Sequence, residues 1–141
     1  MILLDTNVLS ELMKAAPKQT VLAFVNGVPT MALFTSAITQ AEILYGIALL
    51  PVGKRRDGLL AAVRTMLDNH FRGRVLPFDG SAAEAFAAIA AGRRDGGRPI
   101  SQADAQIAAI AKSRGAALAT RNMADFDDCG LTVVNPWTFA V

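Results

Sequence analysis

The chain has almost none of the side chains used for soft-metal or imidazole chemistry: 141 residues carry one cysteine, Cys129, and one histidine, His70. A single thiol excludes an intrachain disulfide, which fits a reducing compartment. A single imidazole, set in Asp-Asn-His-Phe with no second histidine nearby, leaves no histidine-based acid–base pair. Long hydrophobic runs are missing too. Although hydrophobic residues make up 52% of the chain, Asn26, Pro29 and Glu84 interrupt them well before the ~18 residues that a bilayer span requires. No G-x-S-x-G, Walker A or G-x-G-x-x-G string occurs, so lipase-like, NTPase and dinucleotide-binding readings have no motif. Met1 to Leu4 reach Asp5 without a basic n-region or a useful h-region, so no secretion signal is read and a cytoplasmic protein is expected.

What remains plentiful is oxygen and positive charge. The length suits one domain, residues 1–141, large enough to bury a sizeable core. Net charge is only +2, but the basic residues cluster at Lys54–Arg56, at Arg72 and Arg74, and at Arg93, Arg94 and Arg98. Such clusters hold phosphates in some proteins and are solvated loops and helix ends in others; charge alone does not choose.

The hydrophobic pattern alternates between short apolar runs and helical periods. Met1–Leu4 reads as a buried strand, followed by Asp5-Thr6-Asn7 as cap chemistry and a helix through Val8, Leu9, Leu12 and Met13. Pro17 opens a second helix that ends at Gly27. Met31–Phe34 reads as the second strand and Thr39–Leu50 as the next helix, with Gly53–Gly58 a basic loop before a helix carrying Leu59, Leu60, Val63 and Leu67. Val75–Phe78 is a third strand, Ser81–Ala91 a helix stopping at a flexible basic loop, Gly92–Pro99, and Ser101–Ser113 the clearest helix. Ala117–Ala119 and Leu131–Val134 complete the strands. The mostly β-then-α order implies a three-layer α/β/α sandwich with a mainly parallel central sheet, in which ligands bind beyond the carboxyl ends of the strands.

Three carboxylates fall at such ends: Asp5, Glu42 and Asp104. Each has a plain structural explanation. Asp5 can cap its helix, while Thr39-x-x-Glu42 and Ser101-x-x-Asp104 both have the form of a capping box. Helical spacing argues for more, because Glu42 aligns with Ile38, Tyr45 and Leu49, and Asp104 with Ile107 and Ala108, which puts both acids on apolar stripes. Carboxylates turned toward a core repel one another and need a compensating charge. With oxygen the only abundant donor, a hard divalent cation, Mg²⁺ or Mn²⁺, is the natural choice.

The strings LLDTNVLSEL, TQAEILYGI, SQADAQIAAIA and ATRNMADFDDCGLTVVNPW together resemble the four motif blocks of PIN-domain nucleases, in particular the VapC/FitB-type ribonuclease toxins of bacterial type II toxin–antitoxin pairs. The resemblance runs from Met1 to Trp137, with Gly53 to Gly97 matched mainly by pattern. It implies a metal-dependent endoribonuclease in which Asp5, Glu42 and Asp104 are the first three acids and hold Mg²⁺ or Mn²⁺. Where many relatives carry a fourth acid this chain has Asn122, and Asp125 is the nearest remaining carboxylate, so the fourth corner falls to Asn122 or Asp125. Thr6 and Thr120 are implied as hydroxyls lining the site. The resemblance further implies an RNA substrate, a cognate antitoxin, a homodimer and a higher toxin–antitoxin assembly. The competing expectation is a Mg²⁺-binding regulatory or interaction module of α/β fold without nuclease activity.

Overall fold

The computed structural model describes residues 1–140. Five strands, β1 (Ile2–Leu4), β2 (Leu33–Ser36), β3 (Val75–Leu76), β4 (Ala117–Ala119) and β5 (Val133–Val134), form one sheet in the order β3-β2-β1-β4-β5. Every neighbouring pair is parallel. Parallel neighbours need long crossovers, and six helices serve here: α1 (Thr6–Leu12), α2 (Gln19–Asn26), α3 (Ala37–Ala48), α4 (Lys54–Thr65), α5 (Gly80–Asp95) and α6 (Gln102–Arg114).

Strand alternation divides these helices into two layers. Leu3 packs with Ala82 and Ile89 of α5 and Ile107 and Ile110 of α6. The next residue, Leu4, points the other way, into Val8, Leu9, Val21, Phe24, Ile43 and Val63 of α1 to α4. Leu118 and Ala119 of β4 split between the same two cores. With both faces covered, β1 and β4 carry no polar face, which is why they read as continuous apolar runs. Leu3 and Leu4 are fully buried, each contributing roughly 1.5–3 kcal/mol. The three-layer α/β/α sandwich expected from the sequence is the observed architecture.

The sheet grows from β1 through β2 to β3, then α5 and α6 return the chain to the other side of β1, where β4 and β5 add. The order therefore reverses between β1 and β4, and a crevice opens beyond their carboxyl ends. Gly115 ends α6 in the left-handed region at φ 65°, and Ala116 N–H closes the turn on the Ala111 carbonyl at 2.9 Å. That tight reversal feeds the chain directly into β4.

Several boundaries differ from the sequence expectation. The second strand is Leu33–Ser36, because Thr30–Ala32 forms a 3₁₀ turn and Met31 stands 74% exposed. Consequently α3 starts at Ala37, capped by Ser36, whose Oγ accepts from Thr39 N–H at 3.1 Å. Lys54–Arg56 are the first turn of α4 and not a loop. Helix α5 runs through Gly92 to Asp95, with Arg93 and Arg94 in its last turn, where cations complement the helix dipole. The last strand is limited to Val133–Val134. Among the described residues, no helix is long and apolar enough to cross a membrane.

Candidate active site

Asp5 immediately follows β1, and its N–H extends the β1–β4 ladder by bonding the Ala119 carbonyl at 2.9 Å. The side chain is 5% exposed. Thr120 Oγ1 donates to Asp5 Oδ2 at 2.7 Å, Thr6 N–H to Oδ1 at 2.8 Å, and Asn7 Nδ2 lies 3.5 Å from Oδ2. Burial raises the Asp5 pKa above the ordinary aspartate value, against the bonds from Thr120 and Thr6; the Asp104 and Glu42 carboxylates push it further up.

Glu42 reaches the same place from α3, but from the solvent side. The core face of α3 is Thr39, Ile43 and Ile47. The stripe of Ile38, Glu42, Tyr45 and Leu49 is not the buried one: Tyr45 and Leu49 are each 67% exposed. Nor is Glu42 part of a capping box, since Ser36 and not Thr39 caps the helix. Freed from that duty, its Oε1 accepts from Thr6 Oγ1 at 2.6 Å, and Thr6 Oγ1 lies 3.0 Å from Thr39 Oγ1.

Asp104 lies in the first turn of α6, where its N–H donates to Ser101 Oγ at 3.2 Å. Half a capping box is therefore present. Its pKa is nevertheless raised, first by burial, against the Ser101 hydrogen bond, and then by the Asp125 and Glu42 carboxylates; Arg93 acts in the opposite direction. Asp5, Glu42, Asp104 and Asn122 line one groove of about 440 Å³. Asn122 is tied to it through its N–H, which donates to Thr120 Oγ1 at 3.2 Å. Asp125, in the 3₁₀ turn Met123–Phe126, stands outside the lining yet close enough to influence Asp104.

The groove also contains Glu11, which sequence reasoning did not single out, and Arg121, which adjoins the motif residues Thr120 and Asn122 and for which the sequence left open a contact with phosphate or an ion pair with Asp125. Glu11 is 6% exposed, with Lys14 Nζ at 3.0 Å and Lys18 N–H at 3.1 Å. These bonds, Lys14 first, lower its pKa. Its position four residues after Asn7 on α1 was the available signal. Arg121 makes no ion pair with Asp125 or any other carboxylate among the described residues; its guanidinium lies over the Trp137 ring, 5.3 Å from the centroid.

Most of the basic clusters have structural roles. Arg93 is 7% exposed and donates to the carbonyls of Arg98, Asp125 and Asp127 at 2.7, 2.9 and 3.0 Å. Arg98 pairs with Asp127 and Asp128, so the expected flexible basic loop is pinned on both sides. Arg74 is buried and bonds the carbonyls of Thr30, Leu33 and His70. A larger groove of about 760 Å³, which His70 helps to line, contains no carboxylate. The carboxylates Asp5, Glu11, Glu42 and Asp104 line the smaller groove instead.

The fold agrees with comparisons to known proteins. The family model described as PIN domain matches residues 2–129. The chain belongs to the PIN domain family. This PIN domain is 42% identical over 137 residues to "VapC ribonuclease Y4jK" of Sinorhizobium fredii, covering 97% of the chain and 98% of that protein. It is 39% identical to "Toxin FitB" of Neisseria gonorrhoeae, covering 97% and 99%. The crystal structure of FitAcB from Neisseria gonorrhoeae superimposes with a TM-score of 0.91 at 38% identity, covering 99% of this PIN domain and all of that chain.

The donors suit a hard cation. Asp5 and Asp104 are carboxylates held against burial and mutual repulsion, with no cation paired to either among the described residues. Among the described residues, no three acidic, histidine or cysteine side chains form a ready cage. Mg²⁺ does not demand one, since it usually keeps several waters and takes only one or two carboxylates.

Proposed function

We propose that this PIN domain is a Mg²⁺- or Mn²⁺-dependent endoribonuclease, the toxin of a type II toxin–antitoxin pair. The observation that carries this reading is the buried Asp5, fixed by Thr120 at the point where strand order reverses and facing Asp104 and Glu42 across one groove. Its similarity to a VapC ribonuclease and to a FitB toxin supports the same class.

In this mechanism Asp5, Glu42 and Asp104 would hold the cation, with Asn122 or Asp125 assisting at the fourth corner. The cation, when bound, offsets the carboxylate charges, acidifies the attacking water and stabilises charge on the phosphoryl group. The protein's own contribution is orientation. Thr120 and Thr6 N–H fix both oxygens of Asp5. The Thr6 hydroxyl aims Glu42, and Thr120 Oγ1 also anchors Asn122. Hydrolysis of the RNA phosphodiester requires no side-chain nucleophile, in keeping with the absence of His70 from the groove.

The same reading includes a cytoplasmic homodimer that its cognate antitoxin blocks within a larger assembly; the toxin relative and the likeness to toxin–antitoxin complexes support the antitoxin and the assembly. Expression of the protein alone should arrest growth. Co-expression with its antitoxin should relieve the arrest, and Asp5→Asn should abolish it. Undiminished arrest by the Asp5→Asn protein would reject the groove as its cause.

A further inference from the structure

Among the described residues, Arg121 is the cation lining the groove that makes no ion pair, although its charge helps to hold down the Glu11 pKa from a distance. Lys14 is spent on Glu11 at 3.0 Å, whereas Arg121 is exposed and has no carboxylate within ion-pair distance among the described residues. Its position is nonetheless fixed. Arg121 N–H donates to Asn7 Oδ1 at 3.3 Å, and the preceding residue, Thr120, is bonded to Asp5. The guanidinium lies over Trp137, 5.3 Å from the ring centroid. Both residues line the same groove as the carboxylates.

A cation–π contact with an indole restrains a guanidinium without using up its N–H groups as hydrogen-bond donors. A planar fork of that kind matches two oxygens of a phosphate. An acidic groove by itself repels a polyanion, so a substrate strand needs a fixed cation beside the carboxylates as well as whatever cation they hold. We propose that Arg121, steadied by Trp137, binds a backbone phosphate of single-stranded RNA adjacent to the scissile one. This inference rests on the nuclease reading and deepens it by assigning a substrate-positioning residue.

Trp137 is the chain's only tryptophan, so its emission reports on this subsite without labelling. A fluorescent single-stranded RNA oligonucleotide is titrated at low salt in EDTA, where no cleavage occurs, following RNA anisotropy and Trp137 emission together. Wild type should show saturable changes in both. Arg121→Ala should bind roughly tenfold more weakly, with the salt slope reduced by about 0.7. Arg121→Lys, which keeps the charge but not the planar fork, should fall between them. Arg64→Ala, an exposed cation on α4, should bind like wild type. With Mn²⁺, Arg121→Ala should raise KM while kcat stays within a few-fold.

Binding by Arg121→Ala within twofold of wild type, or a Trp137 emission that RNA leaves unchanged, overturns the assignment. Wild-type cleavage of the same RNA in Mn²⁺ separates the two failures. If wild type cleaves while Arg121→Ala binds normally, only the subsite falls; if wild type cleaves no RNA, the nuclease reading falls and takes the subsite with it.

Discussion

Thr120 Oγ1 donates a 2.7 Å hydrogen bond to Asp5 Oδ2, joining residues 115 positions apart at the ends of adjacent parallel strands. The same hydroxyl oxygen accepts from Asn122 N–H and lies 3.3 Å from Asn7 Nδ2. One buried oxygen thus couples the first acid to the fourth-corner segment.

Replacing Thr120 by valine keeps the shape and removes the oxygen. A hydrogen bond to a charged group contributes about 1.5–3 kcal/mol, and this one lowers the Asp5 pKa. Without it the Asp5 pKa rises further, so the acid limb of the pH–rate profile should move to higher pH. Thr120→Ser should restore the wild-type profile. Cleavage rates across a pH series for the three proteins check this; superimposable limbs for wild type and Thr120→Val contradict it.

Asp5→Asn should abolish cleavage and stabilise the metal-free fold. The folded-state pKa of Asp5 lies above its ordinary value of 3.8, so between those values the native state binds more protons than the unfolded one. Its contribution to stability therefore falls as pH rises through that window, and the cost is fully present only above the folded-state pKa. Removing the charge should raise Tm in EDTA by a few degrees, for a gain of about 1 kcal/mol. The gain should shrink as pH drops toward 3.8. Glu11 has the opposite sign, its pKa being lowered, so its contribution is lost only as pH falls through its folded value. Thermal melts of both proteins in EDTA at several pH values make the comparison.

Mn²⁺ at a hundredfold excess over its dissociation constant should stabilise wild type by about 2.7 kcal/mol, and Asp5→Asn by much less. Asn122→Asp adds a carboxylate at the fourth corner and should tighten Mn²⁺ binding several-fold while lowering Tm in EDTA, because like charges repel. Calorimetric titration with Mn²⁺ measures the first effect and melts the second.

Arg93→Met should destabilise the protein by about 3 kcal/mol in urea unfolding, because the carbonyls of Arg98, Asp125 and Asp127 lose a buried donor. Arg94→Met, one residue on and exposed, should change stability by less than about 0.5 kcal/mol. Equal effects at the two positions would count against the clamp.

The layer order and the parallel sheet were legible because strand runs and helical periods are local signals, and Asp5 and Glu42 do follow β1 and β2; Asp104 does not follow a strand, since α6 comes directly after α5, and it reaches the groove from the helix start. The orientation of α3 was not. Ser36 and Thr39 are both able to cap a helix, and placing the start at Thr39 turned Glu42 toward the core when its stripe faces solvent. Arg93 was read as a solvated loop cation because the carbonyls that bury it come from its own loop and from about thirty residues further on. Glu11 escaped notice for a simpler reason: an i,i+3 pair with Lys14 looks like ordinary helix-surface chemistry, and only the fold brings it into the groove.

The most direct test of the central claim is cleavage of a defined RNA by purified wild type and Asp104→Asn, each assayed with Mg²⁺ or Mn²⁺ and with EDTA. The expected result is endonucleolytic cleavage by wild type with either metal, none in EDTA, and a loss of at least a hundredfold in Asp104→Asn, whose fold should persist in thermal melts. Metal-independent cleavage, or cleavage by a folded Asp104→Asn protein at the wild-type rate, would contradict the assignment of the groove as a metal-dependent nuclease site.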